Sequence, residues 1–253
     1  MNDSRLVEIF QSFLTHRRKI GDEYTSMLLN HDDHRHSGPY YDELILPEFG
    51  HHAVRSLINN INRFTVQLCN MHGWQLAIQE LESPDKDDIC GEFLAPIAEL
   101  LVLKPYSLRN QLIFNSCHLL EHHERFVRRA FIDNLPSDEG ITFKTLEKLC
   151  SIHPIAVPLL GSIRKINQRN FVEQTNDFRN RATHRQPIEL HRGLTGHITR
   201  TERSSIEYAH IPPLKIEALT PVLKDEIDYL RDAFIEFWNI AKMFMDEVKT
   251  PRR

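Results

Sequence analysis

The segment TPVLKDEIDYLRDAFIEFWNIAKMFMDEVK, residues 220–249, decides the fold class. Leu223, Ile227, Leu230, Phe234, Phe237, Trp238, Ala241, Phe244, Met245 and Val248 recur every three or four positions, the period of a helix that buries one face. Thr220 followed by Pro221 supplies the start, a hydroxyl able to cap free N–H groups and then a proline where a missing donor costs nothing. Just upstream the pattern changes. Gln186 to Pro213 carries glycines at 193 and 196, the alternation Ile198-Thr199-Arg200-Thr201-Glu202 and the helix-stopping pair Pro212-Pro213, so a polar arm with a short hairpin is expected.

Working back toward the N-terminus, helical spacing returns. Phe171, Thr175, Phe178 and Ala182 form an inward stripe on a run that reaches about His184 after Pro154 and Pro158, and a shorter helix is expected from Phe143 to Cys150. A long helix is expected from Tyr106 to Ile132, with Ser107 placed to cap it and Leu135-Pro136 ending it. Val54, Leu57, Ile58, Ile61, Phe64 and Leu68 mark another, from about Glu48 to Leu81 before Ser83-Pro84-Asp85. Leu6, Ile9, Phe10, Phe13 and Leu14, then Tyr24, Met27 and Leu28, mark the first, which runs into a histidine-rich loop from His31 to Pro47. The expectation is an all-α protein: an elaborated helical bundle of four long helices with shorter helices and one polar arm or short β-hairpin.

Composition narrows the function classes. Hydrophobic residues are 41% and charged residues 26% of 253, as in folded globular chains. The nine glycines are scattered, so neither the dinucleotide-binding nor the P-loop glycine pattern occurs. Cys69, Cys90, Cys117 and Cys150 form no C-x-x-C pair and read as reduced core thiols. The apolar run Phe93 to Leu103 contains Pro96 and Glu99 and is shorter than the roughly 20 residues a membrane span needs, so a cytoplasmic protein without membrane contact is expected. Net charge is −4. It is uneven: nine Lys or Arg against four acids between Leu160 and Arg203 give +5, whereas five basic and nine acidic residues in positions 1–50 give −4. A basic district in an acidic chain points to an anionic ligand or an acidic partner.

Three constellations could carry chemistry. His118-Leu119-Leu120-Glu121-His122 matches H-x-x-E-H, which on a helix sets two imidazoles one turn apart with a glutamate to activate water. However, His122 shares a stripe with Arg125 and Arg129, whose charges repel a dication, so a solvated helix face is the expected reading. His31, His34 and His36 with Asp32 and Asp33 form a loop that binds metals adventitiously, and no metal or other cofactor is expected. No serine sits in a G-x-S-x-G elbow. The third constellation lies in the basic district, where Asp177-Phe178-Arg179-Asn180-Arg181-Ala182-Thr183-His184-Arg185 contains R-N-x-x-x-H.

Arg179, Asn180 and His184 in this spacing resemble the R-x(4 to 6)-H signature of the HEPN superfamily, in which a polar residue often follows the arginine. The resemblance implies a single helical domain over residues 1–253, with the 31–47 loop and the 186–213 arm as decorations. It also implies metal-independent RNA cleavage of the kind found in bacterial toxin-antitoxin, abortive-infection and CRISPR systems, a homodimer that brings two motifs to one cleft, and a neutralising antitoxin or defence partner. One toxin branch of that family has a tyrosine two residues after the histidine, where this chain has Gln186.

The chemistry stands on its own terms. Cleavage without a metal needs a group to take the proton of the ribose 2′-hydroxyl, a group to protonate the leaving oxygen, and positive charge on the phosphate. A histidine can serve either proton role near neutral pH, and an arginine presents a planar fork of donors to phosphate. His184 is therefore the expected general acid or base, Arg179 the phosphate clamp and Asn180 the positioning hydrogen-bonder. Arg181, Arg185 and Arg192 would hold flanking phosphates. Positions 179 and 184 differ by about 140° on one uninterrupted helix. Either the arginine curls round, or the helix ends near the motif, or Arg179 meets a histidine of a second subunit. Two further readings remain open: local surface pairing of Asp177 with Arg181, and a catalytically silent module that binds RNA, nucleotide or a protein partner through the same district.

Overall fold

A computed structural model describes residues 2–34, 45–128, 132–184, 189–190, 195–202 and 205–249. In chain order, α1 (Asp3–Ser26) and α2 (Ile45–Gln79) are followed by α3 (Asp85–Ile89), α4 (Ala95–Val127), α5 (Phe143–Ile152), α6 (Val157–Lys165), α7 (Arg169–Gln174) and α8 (Phe178–His184). An antiparallel hairpin of β1 (Thr195–Glu202) and β2 (Ser205–Ile211) precedes α9 (Leu219–Lys249). The fold is all-α: α1, α2, α4 and α9 are the four long helices of an elaborated bundle, and the hairpin falls within the arm expected at 186–213. Among the described residues, no helix is long and apolar enough to cross a membrane.

The chain divides into two compact units, each assembled from three separate stretches: residues 1–27, 64–104 and 167–225 in the first, and 28–63, 105–166 and 226–253 in the second. In the first unit, the Phe13 and Trp74 rings stack at 4.2 Å, and Trp74 stacks on Phe93 at 5.2 Å. Close approach of α1 to α2 is possible here because Gly73 has no side chain; a Cβ at that position would lie 3.2 Å from both Arg17 Cβ and Phe13 Cε2. In the second unit, Phe234, Phe237 and Phe244 of α9 are fully buried, as the spacing of the 220–249 segment requires.

Besides shifts of two to five residues at other helix ends, three boundaries differ from the sequence expectation. The third long helix begins at Ala95 and runs through Pro105. A proline inside a helix costs about 3 kcal/mol in a lost hydrogen bond and a ring clash. Leu101, Val102, Leu108 and Leu112, on either side of it, are each no more than 1% exposed, and burying them contributes about 1.5–3 kcal/mol apiece, so burial wins. Ser107 is therefore an exposed helix-interior residue and caps nothing. Secondly, α9 starts at Leu219, which places Thr220 inside its first turn.

The Thr220 hydroxyl donates to Gln75 Oε1 at 2.5 Å, while Gln75 Nε2 donates to the Ile216 carbonyl at 2.5 Å. Gln75 is 5% exposed, so this amide satisfies two buried polar groups from within α2. Replacing it by leucine is expected to leave the Ile216 carbonyl and the Thr220 hydroxyl orphaned, at a cost of about 2 kcal/mol. Urea unfolding of Gln75→Leu against wild type measures it, and an unchanged midpoint would show that water takes over both groups.

The third difference is the run that was expected to continue to His184. It is broken twice, at Asn167 with φ 54° and at Asn176 and Asp177 with φ 52° and 53°. Asparagine and aspartate enter the left-handed region at modest cost because their short polar side chains bond locally. The helix is thereby divided into α6, α7 and α8.

Candidate functional site

Asn176 and Asp177 turn the chain so that α8 begins at Phe178, and the turn is stitched by Asp177 N–H to Val172 O at 2.7 Å and Phe178 N–H to Thr175 O at 3.0 Å. The Thr175 hydroxyl, itself buried, donates to Phe171 O at 2.8 Å and closes the end of α7. Phe178, 1% exposed, drives the start of α8 into the core of the first unit. Of the next residues, Arg179 and Arg181 are half-buried and Asn180 is exposed. The Asn180 amide donates to Asp177 Oδ2 at 3.2 Å, and the Arg181 backbone N–H donates to Asp177 O at 3.1 Å. The Arg181 Nε is buried and, among the described residues, has no hydrogen-bond partner. Thr183 donates its hydroxyl to Arg179 O at 2.9 Å, along the helix.

Arg179, Asn180 and the backbone of His184 therefore lie on one helix of seven residues. The His184 side chain lies outside the described part, as do Arg185 and Arg192 altogether. On a continuous helix, positions 180 and 184 share a face and position 179 is turned about 140° from 184. Of the sequence-predicted site residues, the fold gathers Arg179, Asn180 and Arg181 on one turn, with Asp177 bonded to the middle one.

No family model, curated protein or solved structure matches this chain.

The H-x-x-E-H segment lies within α4 of the second unit, and the structure corrects its expected character. His118 and His122 are half-buried, not a solvated face: the Phe49 ring lies 5.8 Å from His118 and 5.2 Å from His122, and Phe114 is 4.4 Å from His118. Glu121 is buried and accepts the Asn134 N–H at 3.1 Å. Among the described residues, no group of three or more His, Cys, Asp or Glu side chains is placed to hold a metal ion. All four cysteines are free and buried, and burial pushes the thiols of Cys117 and Cys150 up, to about 12 and about 11. Such thiols are poor nucleophiles, in line with their reading as core residues.

Beside Glu121 a recess is lined by Glu124, Arg128, Leu149 and His153, and His153 is itself buried. His153 Nε2 lies 3.3 Å from Glu124 Oε1, yet has no well-formed hydrogen bond. His72, His122 and His153 are each held below the ordinary imidazole range, in every case first by burial. At His122 the neighbouring His118 and Arg125 act in the same direction and Asp133 opposes; at His153 Glu124 opposes.

A histidine whose cation is disfavoured in the fold binds its proton more readily in the unfolded chain. Its contribution to stability is thus complete above about pH 6.5 and is lost as the pH falls toward the folded-state value. The thermal midpoint is expected to be lower at about pH 5.5 than at about pH 7.5, and His122→Gln is expected to narrow that gap. Scanning calorimetry at both pH values tests it; an equal gap in the variant would remove His122 from the account.

Proposed function

We propose that this chain is a metal-independent endoribonuclease that cleaves RNA by attack of a ribose 2′-hydroxyl on the adjacent phosphate, at a site built on α8. The observation that carries the reading is the R-N-x-x-x-H string held on one short helix at the start of the chain's basic run. From Arg179 to Arg203 there are six arginines against two glutamates. This is the arrangement that resembles the HEPN superfamily. His184 is the general acid or base, Arg179 clamps the phosphate whose charge grows in the transition state, and Asn180 positions it. Arg181, Arg185 and Arg192 hold neighbouring phosphates, which makes affinity fall steeply with salt. Positions 179 and 184 diverge around the helix, so a homodimer that brings two α8 helices to one cleft completes each clamp with both groups. A neutralising protein partner belongs to the same reading.

The test is incubation of purified wild type and His184→Ala with total RNA in EDTA, followed by end-group analysis. Fragments ending in 2′,3′-cyclic phosphate and 5′-hydroxyl from wild type alone are the expected result. Full activity in His184→Ala would sink the assignment.

One observation favours a second reading, a catalytically silent module that binds through the same surface. The Asn180 amide is engaged by the Asp177 carboxylate at 3.2 Å, which withdraws a donor from phosphate and leaves an acid beside it. Expression separates the two, because a nuclease slows growth in its wild-type form only, whereas a silent module is tolerated with or without His184.

A further inference from the structure

β2 carries a surface that the α8 site does not use. Ile206, Tyr208 and His210 recur every second residue, so they stand on one face of the strand, and all three are exposed. Ile206 is 55% exposed; Tyr208, at 77%, is the most exposed of the large hydrophobic residues among those described. The register sets Gly196 opposite His210, Ile198 opposite Tyr208 and Arg200 opposite Ile206. Among the described residues, the sheet has these two strands alone. An isolated two-stranded ribbon is marginal in water, so it gains most from a ligand laid along it.

The place of the ribbon in the chain points to the ligand. Leu190 bridges Leu214, and the Leu214 N–H donates to Glu189 O at 3.0 Å, closing the base of the arm. That base is five residues from His184, about 18 Å of chain at full extension. In sequence, Arg200 and Arg203 complete the run of six arginines against two glutamates that starts at Arg179. An excess of positive charge along this run attracts a polyanion.

We propose that the Ile206-Tyr208-His210 face is a stacking platform for the bases of single-stranded RNA, which it delivers to the α8 site. This rests on the ribonuclease reading above. Stacking on an exposed tyrosine is sequence-tolerant because every base has a π-face, and the arginines of the basic run would hold the backbone. The preferred substrate is then unpaired RNA; a duplex hides its bases from the ring.

The test uses full-length protein carrying His184→Ala, so that binding is read without cleavage, and a fluorescein-labelled single-stranded RNA of about twelve nucleotides. Tyr208→Ala is expected to weaken binding roughly tenfold and Tyr208→Phe to leave it unchanged, with no comparable loss for a duplex of the same sequence. With His184 restored, Tyr208→Ala is expected to raise KM and keep kcat. Unchanged affinity in Tyr208→Ala, while wild type still cleaves RNA, overturns the platform and leaves the nuclease standing. Absence of binding and of cleavage in every form overturns both. If Tyr208→Ala instead changes a dimer to a monomer by light scattering, with RNA affinity unaltered, the face belongs to a second copy and the platform is overturned.

Discussion

Removing the imidazole of His184 is expected to slow RNA cleavage by about 10²- to 10⁴-fold, the usual contribution of one positioned general acid or base. The residue sits at the end of α8, whose opening residue Phe178 is locked in the core, so truncation there leaves the helix anchored. Binding of RNA should change little, because the proposed mechanism has the histidine act on protons and leaves the phosphates to the arginines. Arg179 behaves differently. Arg179→Ala is expected to cost about 10²- to 10³-fold, the scale of a lost transition-state donor. Arg179→Lys should recover only part of that, since an ammonium keeps the charge but loses the planar fork. Single-turnover cleavage of a labelled RNA in EDTA reads all three variants. Loss of binding in parallel with activity in His184→Ala would recast that residue as a contact, and a fully active Arg179→Ala would dismiss the clamp.

The largest effect on stability is expected from Phe178→Ala. The side chain is 1% exposed and among the largest fully buried groups of the chain, so its truncation should cost about 3–5 kcal/mol in lost transfer energy and in the cavity left behind. For a chain of this size that is roughly a 10 °C drop in thermal midpoint. The loss is also local. Asn176 and Asp177 hold left-handed backbone on the strength of a few turn hydrogen bonds, and the buried ring next to them fixes where α8 points. Phe178→Ala should therefore weaken RNA cleavage even at temperatures where the protein stays folded, and Phe178→Leu should restore most of both properties. Urea unfolding with cleavage assays at low temperature checks this. A cost below about 1 kcal/mol would mean that α8 is held by other groups.

What was legible in the sequence follows from what burial does to spacing. The stripe from Leu223 to Met245 could be read directly because a half-buried helix must place its apolar residues at three- and four-residue intervals. The hairpin was legible by the same logic at period two. Helix ends were harder, because local signals compete with packing that the sequence does not display. Pro105 and Ser107 together imitate a helix start, yet buried Leu101 and Leu108 carry the helix through them. Thr220 imitates a cap, yet its hydroxyl is taken by Gln75, 145 positions away.

At the site, the string Arg179-Asn180-x-x-x-His184 was visible while its setting was not. The breaks at Asn167 and at Asn176-Asp177 carry no glycine or proline to announce them, and the only signal is the tolerance of Asn and Asp for left-handed backbone. His118 and His122 looked like a wet surface because Phe49, which partly covers them, comes from α2, far away in sequence. The alternation Ile206, Tyr208, His210 is visible in the sequence, whereas the exposure of that face is not.

The closure of the arm at Leu190 and Leu214 bears on how such a protein diversifies. Its two ends are neighbours, so residues gained or lost between them do not pull on α8 or α9. The entropic penalty of a longer closed loop grows only logarithmically, about 0.6 kcal/mol for each doubling. Lineages descended from this chain are free to vary the arm's length and surface under little constraint from folding, while α8 and α9 on either side of it stay as they are.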